Sequence, residues 1–283
     1  MLAALTSMIK AWIKPADPLD TPVWQQIRSR VPQLAMLDEP TRTGLEKQMR
    51  RFLRSKSISG AEDLTITPAM RLLIAAFACL PVAALDTKPY RDWHEVIVYP
   101  SAFLSQERWQ DAAGLTHESQ RPLDGMARGD GPVLLSWPAV LGSLQRDGGN
   151  VVIHEIAHKL DMMRGGEANG APPLHAGMSY QDWKSAFTYA WQDTQAKVAW
   201  GEPSVIGAYG ATSPAEFFAV SSERFFEAPQ ALAQAYPGVY AQLRAFYRQD
   251  PLSRYHTTQS VYETSTPHHD TSSMMPARMP RLH

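Results

Sequence analysis

Between Val151 and Asp161 the chain reads Val-Val-Ile-His-Glu-Ile-Ala-His-Lys-Leu-Asp, and no other stretch constrains the fold as tightly. Its apolar spacing predicts a helix over residues 151–163, closed by Gly165 and Gly166. Two imidazoles and a carboxylate in such a run are costly to bury without a shared partner. Residues four apart on a helix lie about 40° apart around the axis and one turn along it, so His154 and His158 share a face. Glu155 stands one residue further round. It can reach water on that face without ligating whatever the histidines hold. Two nitrogen ligands beside a general base suit one zinc ion and hydrolytic chemistry.

An open catalytic zinc site needs a third protein ligand. The residue three after His158 is Asp161, so the pattern that continues through glycine to a third histidine is absent. A later element must supply the ligand. Glu216 and Glu223 are the candidates, on a helix expected to start at Pro214. Glu216 is favoured because it projects from the helix start, which leaves Glu223 to orient an imidazole. Ser213-Pro-Ala-Glu216 also has the form of a capping box, a competing use for the same carboxylate. Asp161 either orients an imidazole or points to solvent at the end of its helix. Tyr209 lies among Gly207, Ala208, Gly210 and Ala211, where a phenol can hydrogen-bond a developing oxyanion. The alternative for Tyr209 is packing within its own loop.

The rest of the chain frames this helix as part of a predominantly helical α+β protein. Proline and cap signals predict helices from Pro18 to Arg30 with Pro32 as the stop, over residues 41–55, and from Pro68. Further helices are expected over residues 180–200, from Pro214, and over residues 237–249. Residues 93–99 and 131–137 read as strands, with Pro132 pointing to an edge strand. That second strand, residues 133–137, is the candidate partner for an extended peptide. Residues 107–131 are polar and aperiodic, which predicts a loop or flap; such a loop could also plug the site. Residues 203–213 read as loop. The basic run over residues 47–56 has no interleaved aromatics and is read as a solvated helix face.

Composition narrows the classes further. A formal net charge of −1 gives no basic field for nucleic acid or anionic membrane. The single cysteine, Cys79, excludes an intrachain disulfide and is read as a buried small hydrophobe. Residues 1–14 form an amphipathic pattern with lysines after the apolar positions, the order of a docking helix rather than a signal peptide, with a membrane-surface helix as the alternative. The longest apolar stretch, residues 72–85, is too short to span a bilayer and contains Pro81. A cytoplasmic protein is expected, with one domain over residues 1–256, helical to about residue 90. The Ser/Thr/Pro/Met/His tail over residues 257–283 is expected to be disordered.

Several segments together resemble a known family. Residues 151–161, Ala208-Tyr209, Ser213-Pro-Ala-Glu-Phe-Phe-Ala-Val, Ser222-Glu-Arg-Phe-Phe and Gln249-Asp-Pro-Leu are similar to the Mlc titration factor A family of bacterial zinc peptidases. The resemblance spans about residues 20–255. It implies a cytosolic gluzincin with a zincin-like core similar to the catalytic core of anthrax lethal factor. By position it matches His154, His158 and Glu216 to the zinc ligands, Glu155 to the general base and Tyr209 to the tyrosine beside the metal. It also implies a peptide or protein substrate, and a transcriptional repressor resembling Mlc as a further partner. A non-catalytic repressor-sequestering protein with a structural or latent zinc is the rival class.

Overall fold

The computed structural model describes residues 17–85, 90–110, 116–145, 148–163 and 165–254. The expected docking helix over residues 1–14 and the tail over residues 257–283 lie outside that set. Capping chemistry sets most helix starts. Thr21 accepts a hydrogen bond from Trp24 N at the start of α1 (Pro22–Arg30), with proline in the tolerated first turn. Pro32 stops α1 after Arg30, as expected, and also begins another helix, α2 (Pro32–Ala35). Proline forces only its predecessor out of the helical region, and Val31 is accordingly extended at φ −85°, ψ 109°. Asp38 caps α3 (Glu39–Ser55), which leads into β1 (Ser57–Gly60). Thr67 caps α4 (Pro68–Cys79), whose residues from Leu72 onward are all buried. Cys79 lies fully inside, and burial pushes its thiol pKa well up.

The strands follow as β2 (Glu95–Tyr99), β3 (Phe103–Gln110), β4 (Thr116–Leu123), β5 (Gly125–Ala127) and β6 (Val133–Ser136). The main sheet has the order β1-β2-β6-β5, with the first two pairings parallel and β5 antiparallel to β6. Two sequence expectations are corrected here. Residues 107–131 are largely strand: β3 and β4 form an antiparallel hairpin, and β5 joins the sheet. Apolar alternation reveals a strand only through a buried face, whereas a two-stranded ribbon is held by its main-chain ladder. The second correction concerns the edge. β6 is internal, paired on both sides, and Pro132 precedes its first residue, a position where a missing N–H costs nothing. The outer strand on that side is β5.

After α5 (Trp137–Gly142) come α6 (Val151–Asp161), α7 (Tyr180–Ala199), the single turn α8 (Gly207–Gly210), α9 (Pro214–Glu227), α10 (Pro229–Ala235) and α11 (Pro237–Tyr247). The turn α8 falls inside the stretch expected to be loop. Val96, Val98, Val133 and Leu135 bury one sheet face, while Ile153, Ile156, Phe217, Phe218 and Phe225 carry the same apolar cluster through α6 and α9. The result is a predominantly helical α+β architecture in which α6 lies between the sheet and α9. No described helix is long and apolar enough to cross a membrane.

Candidate metal centre

Asn150 starts α6: its side chain accepts from Ile153 N at 3.1 Å, supplying one of the bonds a helix N-terminus lacks. Val152, Ile153, Ile156, Ala157 and Leu160 then anchor the helix in the core. The remaining face carries His154 and His158, whose Nε2 atoms stand 3.1 Å apart. Glu216 Oε2, from the first turn of α9, lies 3.0 Å from His154 Nε2 and 3.4 Å from His158 Nε2. Ser213 caps α9 through Glu216 N at 3.1 Å, so the cap half of the expected box forms. The Glu216 carboxylate turns to the histidines instead.

His154 Nδ1 is 2.7 Å from Glu223 Oε1, and a carboxylate only accepts, so Nδ1 carries the proton. In the neutral ring Nε2 then presents a lone pair toward a second imidazole and a carboxylate oxygen. Among the described residues, the buried Glu216 Oε2 has no hydrogen-bond donor despite its short contacts. Ligand distances of about 2.0–2.1 Å in a tetrahedral site give ligand–ligand edges of about 3.3–3.4 Å. The observed edges fit a small divalent cation bound by two nitrogens and one oxygen.

The charges around the triangle are strongly coupled. Burial alone would lower the pKa of His154, but Glu216 and Glu223 reverse that and hold it well above the ordinary value. Burial would likewise raise the Glu216 carboxyl, yet the two imidazoles pull it well below the usual carboxylate range. Glu155 is 4% exposed and belongs to a different balance. Burial raises its pKa against the pull of His154 and His158, with Glu216 and Glu223 adding to the rise. Its Oε2 has no hydrogen-bond partner among the described residues. A Cβ placed on Gly125 would lie 2.3 Å from its Oε1, so the carboxylate packs directly on the backbone of β5.

Tyr209, on α8, faces His154 with ring centroids 5.7 Å apart. It is 56% exposed rather than packed in its loop. Partial enclosure of the phenol, then the Glu216 charge, push its pKa up. Beside His154, Glu155 and Tyr209 opens a cavity of about 420 Å³, walled by Leu123, Gly125, Ala139 and Val151. Asp161 does neither thing expected of it. Its carboxylate is buried and accepts from the N–H groups of Asn169, Gly170 and Ala171 at 2.7, 2.6 and 3.1 Å, tying the following loop to α6. His158 Nδ1 has no hydrogen-bond partner among the described residues.

Sequence reasoning missed Gly125, Asn150, Lys159 and Glu227. An asparagine directly before an apolar helical run was a cap signal that could have drawn attention to Asn150. Lys159 is buried and donates to the carbonyls of Arg128, Gly129 and Gly131, which follow β5. No local pattern marks a lysine or a glycine for such roles.

A family model described as glucose-regulated metallo-peptidase M90 matches residues 6–248. Proteins named Mlc titration factor A from Yersinia pestis (strain Pestoides F) and Yersinia pseudotuberculosis serotype O:1b (strain IP 31758) are each 38% identical over 245 residues. The alignments cover 86% of this chain and 90% of each relative. The chain thus belongs to the glucose-regulated metallo-peptidase M90 family, together with the Mlc titration factors A.

Proposed function

We propose that this chain is a zinc-dependent peptidase of gluzincin type, acting in the cytoplasm, with a zincin-like catalytic domain running to about residue 256. His154, His158 and Glu216 hold one Zn²⁺, Glu223 orients His154, Glu155 is the general base and Tyr209 faces the reacting carbonyl. The observation that carries the reading is the triangle of edges 3.0, 3.1 and 3.4 Å with a buried carboxylate beside it. When bound, the ion lowers the pKa of water and polarises a carbonyl. Glu155 accepts the proton of the attacking water and passes it to the leaving amine, a role for which a raised pKa is suited. The Tyr209 phenol, kept protonated, donates to the developing oxyanion.

The peptide lies along β5, not along residues 133–137. Ser136 N donates to Asp124 O at 2.7 Å, and Gly125 pairs with Leu135. Because hydrogen-bonded and non-bonded pairs alternate in an antiparallel ladder, the N–H and C=O groups of Gly125 and Ala127 point away from β6. Those groups can pair with an extended substrate whose scissile bond then falls next to Glu155.

The relatives' name supports a second reading, binding of a repressor resembling Mlc. Glu155→Gln separates the two. Zinc content should match wild type, while peptide hydrolysis should fall by about 10²–10⁴-fold. Full zinc with unchanged hydrolysis would remove Glu155 as base. Repressor binding that survives the loss of hydrolysis would make the two functions independent.

A further inference from the structure

Behind His154 runs a continuous line of buried hydrogen bonds that reaches the N-terminal helices. Glu223 takes the His154 Nδ1 proton contact on Oε1, and the Asn150 backbone N–H donates to its Oε2 at 2.5 Å. Asn150 Nδ2 donates to Glu227 Oε1 at 2.7 Å while its Oδ1 caps α6. Gln33 Nε2, on α2, donates to Glu227 Oε2. Asn150 is 1% exposed, Glu227 3%, Gln33 5% and Glu223 8%. Two buried carboxylates one turn apart on α9 are costly, and well-packed apolar side chains would stabilise the fold as well or better. What the polar line provides is orientation. Both ends of the Asn150 amide are committed, so the side chain has one allowed rotation.

We propose that Asn150 is a positioning residue for the metal. Its side chain clamps the start of α6 to Glu227, which fixes the backbone N–H that holds Glu223 and hence the plane of the His154 ring. Gln33 anchors the far end, so α2 bears on the geometry of a ligand carried by α6. This rests on the reading of His154 as a ligand.

The test reverses one hydrogen bond. Asn150→Asp keeps the cap oxygen but turns a carboxylate oxygen toward Glu227 in place of the amide donor. Adding Glu227→Gln restores the match with net charge equal to wild type, because the new amide at 227 donates to the new carboxylate at 150. Zinc affinity is measured by chelator competition, and ligand geometry by the absorption spectrum of the cobalt-substituted protein. Asn150→Asp should weaken zinc about 10- to 100-fold and shift the cobalt spectrum. The double variant should recover to within about threefold of wild type.

Wild-type affinity and spectrum in Asn150→Asp would overturn the proposal. So would a double variant as weak as the single, or a lowered Tm with an unchanged cobalt spectrum. If Asn150→Asp does not fold, Gln33→Met carries the test from the far end, with zinc weakened severalfold as the expectation and no change as the refutation. A wild-type chain that binds no zinc would overturn the metal-centre reading and this inference with it. Zinc binding that ignores residue 150 would sink this inference alone.

Discussion

As the proposed base, Glu155 must be buried enough to hold its proton affinity up, yet reach both water and the leaving amine. Gly125 is what allows this. A methyl there would meet Glu155 Oε1 at 2.3 Å and Val151 Cγ2 at 2.8 Å, and the carboxylate is the group able to swing away. Gly125→Ala should therefore leave zinc stoichiometry intact and lower kcat by about 10- to 100-fold, since misplacing a catalytic group by about 1 Å costs that much. Steady-state kinetics beside metal analysis check this; an unchanged kcat would mean the base does not work from this position. His154, Glu155 and His158 were legible in the sequence because helical geometry alone puts the two imidazoles on one face, with the carboxylate one residue further round. The competing uses of Glu216 as cap and as neighbour of the histidines were not separable that way. Its backbone makes the cap bond while its side chain goes elsewhere. Asp161 shows the converse: its partners are N–H groups of a loop, which carry no sequence signature.

Among the elements, helices were legible where a cap, a proline and an apolar period coincide, as at Thr67-Pro68 and Ser213-Pro214. β1 and the β3–β4 hairpin were not: β1 is four residues long with one buried apolar side chain, Ile58, and the hairpin sequence is polar without an apolar period. Internal and edge strands were confused for a related reason. Pro132 excludes a ladder bond only at its own position, one residue before β6 begins. The corrected edge makes its own prediction. Ala127→Pro removes an N–H that points away from β6, so the sheet should tolerate it. If substrate pairs there, KM should rise about three- to tenfold with kcat little changed, the worth of one hydrogen bond. An unchanged KM for extended peptides would place the substrate elsewhere.

At the scale of the whole molecule the metal site and the fold are thermodynamically linked. Without metal, Glu216 and Glu223 raise the pKa of His154 above its unfolded value, although burial opposes them. That contribution is fully present below a pH of about 6.5 and is lost as pH rises through the folded pKa. The proposed zinc needs the same ring neutral, so protons compete with it at low pH. Both effects act in one direction. The difference in Tm between zinc-loaded and chelator-stripped protein should widen from about pH 6 to about pH 8 in thermal melts. A difference that shrinks with rising pH would contradict the ligand assignment. The lysine next to His158 bears on how such a molecule can move. Lys159 is bolted through three carbonyls to the strand-to-strand connection behind β5, and its ammonium stands 5.2 Å from the centre of the Trp93 ring, which Lys56 approaches to 4.3 Å. The helix that floors the cleft and the connection behind β5 are thereby tied to one another. In the proposed peptidase, play that admits chains of different girth is expected beside Tyr209, which rides on one helical turn that starts at Gly207, a glycine at φ +77°.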